Sequence, residues 1–221
     1  MAAKPRLAFV TIGQTPRVDM VPEMVAAIGR DIDAHEFGAL DGLSDDEIAA
    51  LAPRPGEASF ATRLTNGAEV AISKDRVEPR LEALLKRIDG EGFDAVVLLC
   101  TGTHVAPLEN TLMIEAQRVV DKMVEAMGAS ARRLGVLLPL ERQIDEFPKR
   151  HIFPGKPTLA AASPYAGDDF TERSRALQGC DLVIMHCMGY SEAMREQVRE
   201  VVGAPVLLSR RIVSDAVRQI L

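Results

Sequence analysis

Two cysteines stand near the ends of two closely similar apolar segments. Residues 92–102 read GFDAVVLLCTG and residues 179–189 read GCDLVIMHCMG, so both follow the pattern G-x-D-x-V-x-x-x-C-x-G. The pattern places Cys100 and Cys187 at equivalent positions, each two residues before a glycine. A long-period repeat in only two copies indicates a duplicated domain and not a solenoid of many short repeats. We therefore expect two related halves with one such cysteine each.

Two thiols that face one carbon atom from opposite sides could invert that carbon. The reaction needs a base on one face to remove an acidic hydrogen and an acid on the other face to return a proton. Cysteine can fill either role, because nearby N–H dipoles and helix N-termini lower its pKa from about 8.5. The anionic intermediate would need fixed hydrogen-bond donors. This chemistry requires no metal and no organic cofactor, so neither is predicted.

Three loops rich in Thr, Ser and Gly are the candidates for those donors. Each follows an apolar segment and precedes a predicted helix, whose N-terminus favours anions. Arg17, just after the first loop, could hold a substrate carboxylate, and the alternative is a solvated arginine at a helix start. The predicted catalytic residues are Cys100 and Cys187, and the predicted substrate-binding residues are Thr11, Gly13, Gln14, Thr15, Arg17, Thr101, Gly102, Thr103, Gly189, Tyr190 and Ser191.

The elements that would position these residues alternate between strands and helices. Segments 6–12, 94–100 and 181–187 are short and almost wholly apolar, as is typical of strands buried in a parallel sheet. Ligands bind outside the carboxyl ends of such strands, which is where both cysteines fall. We expect an α/β fold of two pseudo-symmetric lobes, each a parallel sheet flanked by helices, with a ligand cleft between the lobes.

Several local signals refine this expectation. Asn66-Gly67 joins two alternating runs and predicts an extra β-hairpin within 58–73 of the first lobe. Ser44 and Glu47 form a capping box at the start of a short helix. Helices are predicted over 16–30, with Pro16 in the first turn, and over 106–127. The N-terminal lobe is expected to comprise residues 1–116 plus 208–221, and the C-terminal lobe residues 117–207.

The composition excludes several classes of function. Of 221 residues, 47% are hydrophobic and 26% charged, with a net charge of −6, which is ordinary for a globular protein. Scattered Lys and Arg, few aromatics and no Trp argue against nucleic-acid binding. No apolar run approaches the roughly 18 residues of a membrane span, and the N-terminus lacks a signal-peptide pattern. We expect a cytoplasmic protein, and the sequence leaves a homo-oligomer open.

The chemical interpretation has simpler alternatives. Cys100 and Cys187 could be core residues, since free cysteine is often buried, and Cys180 is expected to pack or to lie at the surface. His104 is expected at a helix start, where tuning of Cys100, substrate contact and capping all stay open. Arg142 is a second candidate for carboxylate binding. The spacing of cysteines and histidines matches no standard zinc site.

Five motifs carry a resemblance that covers nearly the full length. They are TIGQTPR at 11–17, the Asn66-Gly67 hairpin, VLLPLER at 136–142, HCMGYS at 186–191 and APVLLSRRIV at 204–213. With these motifs the chain resembles the AroM family, a branch of the aspartate/glutamate (and hydantoin) racemase superfamily. The resemblance implies a two-lobed racemase-like fold, a small carboxylate substrate, no cofactor, and Cys100 and Cys187 as an acid/base pair.

The chain departs from the superfamily pattern after both cysteines. Thr101 stands where asparagine is common, and Met188-Gly189 stands where threonine and an acidic residue or histidine are common. Some members with one cysteine catalyse decarboxylation or isomerisation. We therefore predict a cofactor-independent racemase or isomerase of a small carboxylic acid, with a single-cysteine decarboxylase or a non-catalytic small-anion sensor as alternatives.

Overall fold

The computed structural model describes residues 3–150 and 155–221, except for the side chains of 148–150. The chain divides into two compact units, Met1–Gln117 with Ser214–Leu221 and Arg118–Val213. Each unit contains one four-stranded parallel sheet, so the predicted α/β class with parallel sheets is confirmed. None of the helices in the described residues combines the length and the hydropathy that a membrane-spanning segment needs.

The described residues of the first unit form six strands and three complete helices. Its strands are β1 (Arg6–Thr11), β2 (Asp33–Gly38), β3 (Ser59–Arg63), β4 (Glu69–Ser73), β5 (Ala95–Leu98) and β6 (Met113–Glu115). Its helices are α1 (Val21–Ile28), α2 (Asp45–Ala50) and α3 (Lys74–Ile88). The sheet order is β2-β1-β5-β6, and β1 and β5 are fully buried except for the first residue of β1. Burial on both faces explains why these strands read as continuous apolar runs.

The predicted hairpin is present as an antiparallel pair, β3 and β4, in which Ser59 pairs with Ser73. Gly67 lies at the turn with φ of 89°, a left-handed conformation that glycine adopts without steric cost. Asn66 Oδ1 accepts the Ala68 N–H at 2.9 Å and stabilises the turn. The predicted Ser44–Glu47 capping box also forms at the start of α2.

The second unit repeats the sheet of the first. Its strands are β7 (Leu134–Leu138), β8 (Thr158–Ala161), β9 (Leu182–Met185) and β10 (Val206–Leu208). Its helices are α4 (Ala116–Gly128), α5 (Gln143–Arg150), α6 (Phe170–Ser174), α7 (Glu192–Val202) and α8 (Ser209–Gln219), and the boundary between the units falls within α4 and α8. The strand order of this sheet is β10-β9-β7-β8, and that of the first sheet, read in the same direction, is β6-β5-β1-β2. If the strands of each sheet are counted in chain order, both sheets have the order fourth, third, first, second.

The register of the central strands is also duplicated. Just before the first cysteine, the Leu99 N–H donates to Val10 O at 2.8 Å. Just before the second, the His186 N–H donates to Leu137 O at 2.9 Å. Both cysteines therefore follow the same point of the same strand pairing.

The aspartate of each repeat closes the amino-terminal edge of its sheet. Asp94 accepts the Arg6 N–H at 2.7 Å and returns its own N–H to Arg6 O at 2.8 Å. Asp181 accepts the Arg133 N–H at 2.9 Å and returns its N–H to Arg133 O at 3.0 Å. This pair of contacts holds the first strand of each sheet to the strand that leads to the cysteine.

The first glycine of each repeat has the same surroundings in both units. Gly92 and Gly179 have φ values of 79° and 81°. A Cβ added at Gly92 would lie 3.3 Å from the Arg6 guanidinium, and one at Gly179 would lie 3.2 Å from that of Arg133. The G-x-D part of the repeat is therefore a structural clamp beneath each cysteine strand.

Two predicted helices were wrong in extent. The helix predicted over 16–30 begins at Val21, and Pro16 lies before it, after a cis peptide bond with Thr15. The segment predicted as a helix over 106–127 is first a loop and then β6, and α4 begins only at Ala116. Pairing of β6 with β5 overrides the helical spacing of its residues, because the strand completes the sheet.

Candidate active site

Cys100 lies two residues beyond the end of β5 in the first unit and is 8% exposed. Its loop is held by neighbours on both sides. Thr103 Oγ1 donates to Cys100 O at 3.4 Å. A Cβ added at Gly102 would lie 2.7 Å from the Phe60 ring, so the hairpin fills the space that this glycine leaves open. Thr101, between them, is half-buried.

Lys74 is a residue of this site that the sequence analysis missed. Its Nζ donates to Gly102 O at 2.9 Å and lies 3.3 Å from Glu78 Oε1. It also lies 5.7 Å from the centre of the Phe60 ring. Lys74 is the first residue of α3, directly after the hairpin, and nothing in its local sequence signals a contact with residue 102.

Glu115 is a second missed residue. It ends β6 beside Leu98 of β5, is 3% exposed, and accepts the Val105 N–H through Oε1 at 3.2 Å. A buried carboxylate therefore holds the loop that follows Cys100. The local residue spacing predicted a helix at this position, so the place of Glu115 at the sheet edge was not expected.

The predicted donors after β1 are largely engaged within the unit. Thr11 Oγ1 accepts the Gly13 N–H at 3.2 Å and an Arg17 Nη1–H at 3.0 Å. A Cβ at Gly13 would lie 2.2 Å from Thr62 Oγ1 of the hairpin. Substrate contacts by Thr11 and Gly13 stay predictions, and the observed contacts tie this loop to β3.

Gln14 and Thr15 also bind protein groups. Gln14 Oε1 accepts the N–H of Thr65 at 3.0 Å and its hydroxyl at 3.2 Å, which fastens the hairpin turn to this loop. Thr15 donates its N–H to Asp41 Oδ1 at 2.8 Å and its hydroxyl to Oδ2 at 2.7 Å. Their roles toward a substrate stay predictions.

Arg17 is not the solvated arginine that was its alternative interpretation, because it is 3% exposed. Its guanidinium pairs with Asp19 through Nε and Nη2, both at 2.9 Å. Burial of Asp19 opposes ionisation, but the hydrogen bond and charge of Arg17 hold the pKa of this carboxyl below its ordinary value. The observed role of Arg17 is a buried ion pair, and its binding of a substrate carboxylate stays a prediction.

Cys187 lies two residues beyond the end of β9 in the second unit and is half-buried. The Gly189 N–H donates to its Sγ at 3.4 Å. A Cβ at Gly189 would lie 2.3 Å from Tyr165 Oη, so an aromatic side chain covers this glycine as Phe60 covers Gly102.

Tyr190 and Ser191 support the loop from its far side. Tyr190 is fully buried, donates its hydroxyl to Ala162 O at 2.8 Å and packs edge-on against Phe170. Ser191 caps α7 by accepting the Met194 N–H at 3.3 Å. These contacts give both residues structural roles, and substrate contact by either stays a prediction.

Arg210 is the third residue that the sequence analysis missed. It lies in the first turn of α8, is 2% exposed, and donates from Nε to Met188 O at 3.2 Å and from Nη2 to Gly189 O at 3.1 Å. In each unit, then, a cation binds the carbonyl oxygen of the glycine two residues after the cysteine. The only sequence signal was the strand-end position of the SRR segment.

The remaining candidates lie as follows. His186 is 3% exposed, packs against Phe147 and lies 3.3 Å from Asp121 Oδ1 through Nε2. His104 is exposed within a loop, so its predicted place at a helix start was wrong. Cys180 is buried, in agreement with packing, and Arg142 is exposed. Among the described residues, no group of three or more His, Cys, Asp or Glu side chains could hold a metal ion.

Comparison with known proteins identifies relatives by family and by fold. The family model described as AroM protein matches residues 7–221. No curated protein sequence matches the chain significantly.

Solved structures that match the chain include an isomerase, a decarboxylase and a racemase. The maleate isomerase Iso from Pseudomonas putida S16 superposes with a TM-score of 0.61 and 12% identity, covering 98% of this chain and 92% of that one. Unliganded arylmalonate decarboxylase superposes with a TM-score of 0.57 and 14% identity, covering 98% of this chain and 93% of that one. Glutamate racemase from Francisella tularensis subsp. tularensis SCHU S4, in complex with D-glutamate, superposes with a TM-score of 0.56 and 10% identity. The match covers 99% of this chain and 81% of that one. These similarities show that the chain shares its fold with these three enzymes.

Proposed function

This chain belongs to the AroM family, and we propose that it is a cofactor-independent racemase or isomerase of a small carboxylic acid. Cys100 and Cys187 are its acid/base pair. The cytoplasm is its proposed location, and a small carboxylate its proposed partner. The fold it shares with racemases, isomerases and a decarboxylase supports this reaction class.

The observation that carries the proposal is the duplicated placement of the two thiols. Each follows the same point of an equivalent strand pairing, at the carboxyl end of a parallel sheet, where ligands bind in this class of fold. Cys180, which belongs to the second copy only, lies before its strand and is buried. The two copies therefore share the cysteine that follows the strand and differ at the position before it.

The proposed reaction moves one proton off the substrate and one proton onto it. One cysteine, as thiolate, removes the hydrogen next to the carboxylate, and the C–H electron pair delocalises into that carboxylate. The other cysteine, as thiol, donates its proton to the opposite face of the same carbon. Each cysteine ends in the protonation state that the other began with, and exchange with solvent restores the pair. The proposal requires that both thiols reach one carbon atom.

The loops beside the thiols are the proposed substrate-binding elements. They are residues 11–15 with Arg17, residues 101–103, and residues 189–191. Backbone N–H groups and hydroxyls in these loops would stabilise the anionic intermediate. Because many of their side chains already bind protein groups, we assign them chiefly the task of fixing the loop backbone around the substrate.

The proposal is tested by hydrogen exchange in D2O. The purified protein is incubated with a panel of chiral amino, hydroxy and dicarboxylic acids, and loss of the α-proton signal is followed by NMR. We expect exchange with one substrate class, and a loss of at least about 100-fold in Cys100→Ser and in Cys187→Ser. Cys180→Ser is the matched control and keeps full activity. Exchange that persists at the wild-type rate in either strand-end variant would refute the two-cysteine reaction.

A second candidate is a decarboxylase that uses one cysteine. It is favoured by the difference between the two thiols, since Cys187 is half-buried while Cys100 is 8% exposed and packed in a hydrophobic core. In that reaction the C–CO2 bond breaks, the electron pair stays on carbon, and the Cys187 thiol protonates it. Release of CO2 from a disubstituted malonate by Cys100→Ser, but not by Cys187→Ser, would select this candidate.

A further inference from the structure

The peptide that joins Met188 to Gly189 connects a buried cation to the Cys187 sulfur. Its carbonyl oxygen accepts from Arg210 Nε at 3.2 Å. Its N–H donates to Cys187 Sγ at 3.4 Å. This peptide is trans, so its C=O and N–H point in opposite directions and the two hydrogen bonds form one chain.

The direction of this chain favours the thiolate. The guanidinium withdraws electron density from the carbonyl oxygen, and this polarisation strengthens the N–H on the other side of the peptide as a donor. A hydrogen bond to sulfur and a nearby positive charge both stabilise the charged form of a thiol. Because Arg210 is 2% exposed, water and salt screen its charge only weakly.

The guanidinium also fixes the loop in place. Its Nη2 donates to Gly189 O at 3.1 Å, so one planar fork holds two consecutive carbonyl oxygens. Tyr165 covers Gly189 from another side. The N–H that faces the sulfur is therefore held in position before any substrate binds.

Other titratable groups lie on the elements around this loop. Glu192 begins α7, where burial opposes its ionisation but hydrogen bonds from Arg195 and Arg211 bring its pKa below the ordinary value. The negative charge of Glu192 is therefore paired with Arg195 and Arg211. The others are Tyr165, Tyr190 and the His186–Asp121 pair.

We infer that Arg210 is a positioning residue that activates Cys187 through the Met188–Gly189 peptide, lowering the pKa of the Cys187 thiol. The inference rests on the proposed function in one respect, that Cys187 is a reacting thiol. It assigns the activation of that thiol to a side chain that acts through the intervening peptide. A purely structural arginine would stabilise the fold and leave the acidity of Cys187 unchanged.

The test measures the acidity of Cys187 without any substrate. The folded protein is alkylated with iodoacetamide over a pH series, and the rate at Cys187 is read by peptide mass spectrometry, with alkylation of the buried Cys180 as the monitor of unfolding. In the wild type, we expect the midpoint for Cys187 to lie below the ordinary value of about 8.5. Arg210→Met, which keeps an apolar stem, should slow alkylation of Cys187 near neutral pH by about tenfold, equivalent to a pKa rise of about one unit.

Two further variants separate charge, geometry and folding. Arg211→Met removes the same charge from the neighbouring residue, which binds Glu192 and not the loop, and should keep the rate within about twofold of wild type. Arg210→Lys keeps the charge but cannot reproduce the fork, and should give an intermediate rate. If Arg210→Met does not fold by circular dichroism, the Arg210→Lys profile decides.

The inference is overturned by a wild-type midpoint at or above the ordinary value, or by a wild-type profile in a folded Arg210 variant. Neither result depends on turnover. Conversely, Arg210→Met could raise the pH midpoint of Cys187 alkylation while Cys187→Ser keeps full hydrogen exchange. This combination would support the role of Arg210 and refute the proposed reaction. The two failures are therefore distinguishable.

Discussion

In the first unit, Phe60 covers the glycine after the cysteine and Lys74 binds its carbonyl oxygen; in the second unit, Tyr165 and Arg210 occupy those roles. Phe60 belongs to the hairpin, which has no counterpart among the described residues of the second unit, whereas Tyr165 lies in the loop between β8 and α6. Lys74 begins α3, the helix before the first cysteine strand, whereas Arg210 lies in the first turn of α8, after the last strand. The amino-terminal clamps of the two sheets, in contrast, are the same. The shared part of the repeat therefore forms the strand, while different side chains support the cysteine loop in each unit.

The largest expected contrast between the units concerns the arginine that follows the first strand. Arg17 is buried with Asp19, whereas Arg142 after β7 is exposed. Asp19→Asn should lower the free energy of unfolding by about 3 kcal/mol at neutral pH, because a neutral amide replaces the carboxylate that accepts two hydrogen bonds from the buried guanidinium. Arg142→Met should change it by less than about 0.5 kcal/mol. Urea denaturation of both variants measures the contrast.

The Asp19 effect has a defined pH dependence. The folded state lowers the pKa of this carboxyl below the ordinary value of 3.8, so its contribution is complete above that value and is lost as the pH falls through the folded pKa. The difference between wild type and Asp19→Asn should therefore shrink in acid. A difference that stays constant down to low pH would show that the ion pair does not stabilise the first unit.

The covered glycines test whether the two loops are supported independently. Alanine at Gly189 meets Tyr165 at 2.3 Å, and alanine at Gly102 meets Phe60 at 2.7 Å. Each substitution should cost about 1–3 kcal/mol through overpacking and should alter the alkylation rate of its own cysteine only. Gly128→Ala is the control, since its methyl group meets Leu134 at an ordinary 3.7 Å. If either substitution changed the alkylation rates of both cysteines, the two loops would not be supported independently.

The smallest expected effect belongs to the shared clamp. Asp94→Asn and Asp181→Asn should lower the melting temperature by similar amounts, each less than about 4 °C. The Arg133 backbone N–H lowers the pKa of Asp181, so the loss in Asp181→Asn should fade as the pH drops below about 3.8. Clearly unequal losses in the two variants would show that the clamps are alike in geometry and not in energy.

Much of the fold follows from local sequence signals. The repeat, the buried strands, the Asn66-Gly67 turn and the Ser44–Glu47 capping box each depend on residues close together in the chain. The helix predicted over 106–127 failed because β6 is stabilised by its partner strand β5, which local spacing does not reveal.

The candidate site was less predictable for the same reason. Glycines 13, 102 and 189 were predicted to bind substrate, and the structure shows side chains distant in sequence where a methyl group at each would lie. Lys74, Glu115 and Arg210 each contact a residue at least ten positions away, so no motif marks them. The sequence located the two cysteines, and only tertiary contacts show what surrounds them.

The two-cysteine reaction is tested most directly by the isotope content of the first product formed in D2O. With a substrate found by the exchange screen, product and remaining substrate are separated by chirality after a small conversion and examined by mass spectrometry. Because one thiol removes the proton and the other supplies a solvent-derived deuteron, the product should carry one deuterium while the remaining substrate keeps its hydrogen. Product that retains the hydrogen of its own substrate would mean that a single base returns the proton it removed, and would contradict the account.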